Sequence, residues 1–168
     1  MARRPVIGVM GRGEGASPHD QALAEELGAL LAARGWIVLC GGRDAGVMRA
    51  VSRGAKSIEG SLTVGVLPST PDDRAGIAPD VDVAIFTGMG DARNAINVLS
   101  SDVVVICGAP GAGTASEAAL ALKARRPLVL LAASPEAAAF FPVLSNDVAL
   151  ADTPAEAVAI VGRMLSAR

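Results

Sequence analysis

The sequence predicts an α/β fold: one open sheet of parallel strands with helices on both faces. Three observations carry that expectation. Short apolar runs alternate along the chain with stretches of helical periodicity. The run Asp102–Cys107 is almost continuously apolar, as a strand covered on both faces must be. Several runs end in glycine-rich turns, where strand-to-helix crossovers begin.

Taken in order, Pro5–Met10 reads as the first strand. Ser17-Pro18 then marks a helix start, with Leu23, Leu27, Leu30 and Leu31 on one face. Trp36–Cys40 is a second strand and Asp44–Lys56 a helix; Leu62–Leu67 is a third strand. Pro68–Pro79, with three prolines, is a loop whose position suggests a lid or an oligomer contact. Val81–Phe86 is a fourth strand, Asp91–Ser100 a helix, Asp102–Cys107 the fifth strand and Thr114–Ala124 a helix. Leu128–Ala132 is a sixth strand and Val148–Leu150 a short seventh. Thr153-Pro154-Ala155-Glu156 is a capping box, opening a last helix with apolar Ala157, Ile160, Val161, Met164 and Leu165. Strands separated by helices imply parallel pairing with right-handed crossovers, hence a Rossmann-like sheet. No internal repeat or linker interrupts it, so residues 1–168 are expected to form one domain.

Composition removes several function classes. Hydrophobic residues are 51% and charged residues 19% of 168, far from a disordered composition. Aromatics are only 2%, the net charge is -2 and the pI about 5.4, which argues against nucleic acid as a partner. Cys40 and Cys107 each sit inside an apolar run, and His19 is the one histidine, so no metal site or histidine-activated nucleophile is expected. No apolar stretch approaches the roughly 20 residues of a membrane span. Arg3-Arg4 is followed by too short an apolar run for an export signal, and a cytoplasmic location is expected. Neither Lys56 nor Lys123, the only lysines, has a context for a pyridoxal Schiff base.

Ligands of such sheets bind outside the carboxyl ends of the strands. Four glycine-rich turns fall on that edge: Gly11–Gly15, Gly41-Gly42-Arg43, Thr87–Arg93 and Gly108–Thr114. Glycines let backbone amides converge on an anion, and the helix that follows adds positive potential. The expected ligand is therefore a phosphorylated small molecule, bound by Gly11, Gly13, Gly41, Gly42, Arg43, Gly111, Gly113 and Thr114. Gly11, Gly13 and Ala16 also fit a dinucleotide fingerprint. However, Ser17-Pro18 starts the helix late for that motif, and Cys40-Gly41 replaces the acid expected after the second strand. In that reading Arg43 would meet a 2′-phosphate.

Arg93-Asn94-Ala95-Ile96-Asn97 leads through Ser101-Asp102 to Ala109-Pro110-Gly111-Ala112-Gly113-Thr114-Ala115-Ser116-Glu117. This segment resembles the Pro-Gly-Gly-x-Gly-Thr-x-x-Glu signature of the Lonely Guy-type proteins, formerly labelled lysine decarboxylases. Gly41–Met48 is similar to that superfamily's second glycine-rich turn. The resemblance implies a Rossmann-like fold, a homodimer or homotetramer, and no required cofactor. In the enzymes of the group it implies hydrolysis of the N-glycosidic bond of a nucleoside 5′-monophosphate, releasing ribose 5-phosphate. Arg93-Asn94, where those enzymes have Arg-Lys, resembles the branch of molybdenum-cofactor carrier proteins, which hold a phosphorylated pterin without turning it over. Ala109-Pro110 departs from the usual Pro-Gly.

Binding, with carriage as its purpose, is thus the leading expectation, and phosphoribohydrolysis the alternative. In either, Arg93 faces the phosphate as a fixed cation. In the alternative, Arg93 and Glu117 are the catalytic pair, the carboxylate stabilising an oxocarbenium or activating water. Blander readings stand beside these. Thr114-x-x-Glu117 is itself a capping box, Arg93 a solvated or paired helix residue, Asp102 a cap or pairing group, and Arg12, Glu14 and Arg43 either line the pocket or simply sit in water. The helix face Ala118–Leu122 is apolar nearly all round, which suits packing against a second copy.

Overall fold

The structure, a computed structural model, describes residues 3–72 and 76–167. Its strands are β1 (Val6–Gly11), β2 (Ile37–Cys40), β3 (Thr63–Leu67), β4 (Val83–Phe86), β5 (Val103–Cys107), β6 (Leu128–Leu131) and β7 (Val148–Ala151). They form one sheet in the order β4-β3-β2-β1-β5-β6-β7, and every pairing is parallel. The helices are α1 (Pro18–Ala33), α2 (Gly46–Lys56), α3 (Asn94–Ser100), α4 (Ala112–Lys123), α5 (Pro135–Leu144) and α6 (Pro154–Ser166). The expected open, doubly covered Rossmann-like sheet is what forms.

Alternation along the strands sorts the core into two layers. Ile7, Val9, Val103, Val105 and Cys107 face α1, α2 and α6. Met10, Val104 and Ile106 face α3, α4 and α5. Burial on both sides is why β5 and β6 are apolar at every position. The chain leaves β1 toward β2, β3 and β4, and returns to β1's other side at β5. The reversal of strand order between β1 and β5 opens a crevice at their carboxyl ends.

Local chemistry sets the element ends. Ser17 and Thr153 each cap a helix through a capping box, and Pro18 and Pro154 fill the first turn. Helix α5 was not expected from the sequence. Its ten residues mix adjacent phenylalanines with alanines and carry Pro142, so no helical periodicity shows. The legible signal was Ser134-Pro135, the same start as the other two helices; the Ser134 side chain accepts from the Ala137 amide.

β4 begins at Val83 rather than Val81. Asp82 and Thr63 exchange side-chain-to-backbone bonds (Thr63 N to Asp82 Oδ2 and Asp82 N to Thr63 Oγ1, both 2.9 Å) where ladder bonds would otherwise start. The helix expected at Asp91–Ser100 is divided: Gly90–Arg93 is a 3-10 turn and α3 follows. α2 starts at Gly46, two residues later than expected, and α4 at Ala112, two residues earlier.

The loop expected to act as a lid lies in part outside the described residues, at 73–75. Its far end is fastened to the second glycine turn. Asp44 N donates to Gly76 O (2.8 Å), Ala78 N donates to Gly42 O (2.9 Å), and Arg43 forms an antiparallel bridge with Ile77. Asp102 pairs, as its blander reading held: it binds Arg3 (2.6 Å) and accepts from the Val6 amide (2.9 Å). No helix among the described residues is long and apolar enough to cross a membrane.

Candidate functional site

The crevice between β1 and β5 widens into a cavity of about 430 Å³. It is lined by Gly11, Arg12, Gly13 and Glu14 after β1, by Gly41 and Arg43 after β2, and by Asp91, Arg93 and Asn94 before and at the start of α3. Gly111, Gly113, Thr114 and Glu117 from the start of α4 complete the rim, and Val9, Met10 and Met48 also contribute to the wall. Nine of the ten residues singled out in the sequence thus meet around one space.

Gly42 is the tenth, and it stands off the wall. Its φ of +72° needs glycine, and a Cβ there would lie 2.9 Å from the Cα of Gly65 on β3. It closes the turn and lets the two backbones touch. Of the Thr87–Arg93 turn, only Asp91 and Arg93 reach the cavity; Gly88 and Gly90, both at positive φ, shape the turn before it.

The start of α4 gives the rim a set of free backbone donors. Gly111 is the N-cap, in extended conformation, and offers no side chain to the turn. The first helical bond runs from Ala115 N to Gly111 O (2.8 Å). The amides of Ala112, Gly113 and Thr114 therefore precede the helical ladder, and the dipole of α4 adds positive potential there. A Cβ on Gly113 would meet no atom within 4 Å. Because the helix starts at Ala112, Thr114 is not its cap. The capping-box reading of Thr114 and Glu117 is thereby replaced: Glu117 lies in the second turn and points inward.

Glu117 is 6% exposed and Arg93 9% exposed, so neither is a solvated helix residue. Arg93 Nη1 stands 3.9 Å from Glu117 Oε1, an ion pair without a short hydrogen bond. The close contact to that oxygen comes from Asn97 Nδ2, at 2.9 Å. Arg93 Nε and Asn97 Oδ1 are buried without a hydrogen-bond partner. Burial pushes the Glu117 carboxyl above the usual carboxylate range, against the Asn97 bond and the Arg93 charge. Burial also pulls Arg93 below its ordinary value, against the Glu117 charge.

Asn97 was missed as a site residue. The available signal was its spacing, one helical turn beyond Arg93, which places both on the face turned to α4. Asn94, which donates to Ser116 Oγ (3.4 Å), and Asp91 were also missed as lining residues.

The rim is charged on the β1–β2 side. Arg12 Nη2 donates to Pro110 O (3.3 Å), tying the first glycine turn to the last, and Arg43 pairs with Glu14 (3.5 Å). Both thiols lie under the sheet rather than in the cavity. Burial pushes Cys40 up and Cys107 up to about 12, so neither is a nucleophile at neutral pH. Among the described residues no group of three or more His, Cys, Asp or Glu gathers as a metal site would require.

The fold has relatives. The profile of the SLOG cluster4 family matches residues 4–158. The molybdenum cofactor binding protein of the phototrophic bacterium Rippkaea orientalis is 47% identical, with a TM-score of 0.92, covering 98% of this chain and 99% of that one. The molybdenum cofactor carrier protein of Chlamydomonas reinhardtii is 46% identical, with a TM-score of 0.91 and the same coverage. An uncharacterized protein of Archaeoglobus fulgidus is 39% identical over 152 residues, 90% of this chain and 91% of its own. With the match spanning all seven strands and all four glycine-rich turns, the chain belongs to the SLOG cluster4 family.

Proposed function

We propose that the cavity between β1 and β5 binds molybdenum cofactor, a phosphorylated pterin, and that the protein carries this cargo without transforming it. The observation that carries the reading is a buried arginine, Arg93, whose one ionic partner among the described residues stands 3.9 Å away, facing a glycine-lined cavity. The chain holding it is 46–47% identical to proteins described as binding or carrying that cofactor. The residues suit the group chemically. The amides of Ala112, Gly113 and Thr114 and the Thr114 hydroxyl would hold the phosphate, and Arg93 would neutralise it. Gly11, Gly13 and Gly41 make room for the side chains that build the wall, since Val47, Met48 and Arg93 stand where their Cβ atoms would lie. The apolar groove of about 290 Å³ between α3 and α4, with Leu99 and Leu120 on its walls, supports the companion proposal that a second copy packs there.

The hydrolase reading is favoured by one observation: Glu117 lines the cavity beside Arg93 instead of capping α4. One pair of measurements separates the two. Purified protein is mixed with isolated molybdenum cofactor, and the bound pterin is quantified by fluorescence after oxidation. The same protein is incubated with 5′-AMP and free adenine is assayed. Carriage predicts pterin capture near one per chain and no adenine release. Adenine release abolished by Glu117→Ala overturns carriage in favour of phosphoribohydrolysis.

A further inference from the structure

Arg93 and Glu117 on the cavity wall, and Asn97 behind it, are arranged so that the arrival of an anion can be coupled to the uptake of a proton. Arg93 is buried but underused, with Nε unpartnered and its ion pair to Glu117 long. Asn97, fully buried at 0% exposure, spends its amide on Glu117 Oε1, while its own Oδ1 has no partner. Its main chain is held by the Ser101 hydroxyl, which donates to Asn97 O (2.7 Å). With one end donating to a carboxylate, the Asn97 side chain can rotate its other end to accept from a carboxylic acid. The same residue thus suits both protonation states of Glu117.

We infer that Asn97 is a positioning residue that holds Glu117 off Arg93, keeping the guanidinium available to an anionic ligand, and that Glu117 takes up a proton from solvent when the anion binds. The inference rests on the proposed anion-binding role of the cavity. Arg93 is the cation nearest Glu117, and a phosphate drawing on that charge leaves the carboxylate with a second anion in place of a counter-ion. Two negative charges in one poorly hydrated site favour protonation of one of them. The neighbouring charges do not reverse this sign. Cys40 on β2 is neutral, Asp91 adds negative charge, and Arg43 is committed to Glu14 at the rim, as Arg12 is to Pro110 O. The raised affinity of the buried Glu117 carboxyl for its proton acts in the same direction.

The test uses 6-hydroxymethylpterin phosphate and calorimetry in two buffers of different ionisation heat. At about pH 8 a phosphate monoester, with a second pKa of about 6, is fully ionised and supplies no titration of its own. The wild-type chain is expected to take up close to one proton per ligand. Glu117→Gln, which mimics the protonated acid, is expected to take up none and to bind several-fold more tightly at that pH. Asn97→Ala lets Glu117 close on Arg93. Its affinity should fall about tenfold near pH 8, and adding Glu117→Gln to it should restore binding, because no carboxylate is left to close on the arginine. Binding without proton uptake, uptake retained in Glu117→Gln, or an equal loss in Asn97→Ala with and without Glu117→Gln overturns the inference alone. No binding by the wild-type chain overturns the anion-binding reading with it.

Discussion

The guanidinium of Arg93 occupies the space that a side chain at Gly41 would take. A Cβ on Gly41 would lie 2.7 Å from Nη1 and 2.9 Å from Nη2 of Arg93, and 2.6 Å from Met48 Sδ. The atoms in the way are the ends of flexible side chains, so they can move. Gly41→Ala should therefore cost little stability, within about 1 kcal/mol, while displacing Arg93 and lowering affinity for a pterin phosphate about tenfold. Thermal melts alongside calorimetry check the separation; a large loss of stability with unchanged affinity contradicts it.

Thr114 is buried at the cavity wall in the first turn of α4. If its hydroxyl binds the phosphate, Thr114→Ala should weaken binding by about 1.5–3 kcal/mol, the usual worth of a hydrogen bond to a charged group. Calorimetry with the same ligand reads this directly, and an unchanged affinity removes the hydroxyl from the site.

Helices α1 and α2 touch through two glycines. A Cβ on Gly28 would collide with the Val51 carbonyl oxygen, and one on Gly54 with the Glu25 carbonyl oxygen. Backbone cannot swing aside as a side chain can, so the helices must separate. Gly28→Ala and Gly54→Ala should each destabilise the fold by about 1–3 kcal/mol or more. Urea titration measures the loss, which should appear without any change in ligand specificity.

Glu117 should work against stability when ionised. Its carboxyl is raised in the folded chain, so the native state holds the proton more tightly than the unfolded one. Stability is then greatest below the ordinary glutamate value of about 4.3 and falls as pH rises through the raised native value. Glu117→Gln escapes that loss. Its melting temperature should match wild type in acid and exceed it at neutral pH; a gap independent of pH refutes the assignment.

The distribution of legible and illegible features follows from range. Strand and helix types were readable because burial on two faces leaves continuous apolar runs in β5 and β6, and one-sided burial leaves period in α6. Caps were readable because Ser17-Pro18 and Thr153-Pro154 act within one turn. Helix α5 was lost because its apolar residues and Pro142 erase the period, though its Ser134-Pro135 start was present. The start of α4 was misplaced because Thr114 and Glu117 match a capping box in sequence, while a glycine, Gly111, caps the helix with no side-chain signal.

By itself the sequence determined the parallel α/β architecture, the edge of the sheet where the cavity opens, and nine of the sixteen residues that line it. These depend on composition and on spacings of a few residues. Only the tertiary structure decided what those residues do to one another. The β1–β5 reversal brings Gly11 to Gly111, the turn after β2 sets Gly42 against Gly65 of β3, and α3 lays Asn97 against Glu117. Such relations join residues far apart in the chain, and desolvation, which sets the charge balance of Arg93 and Glu117, exists only once the helices have closed over them.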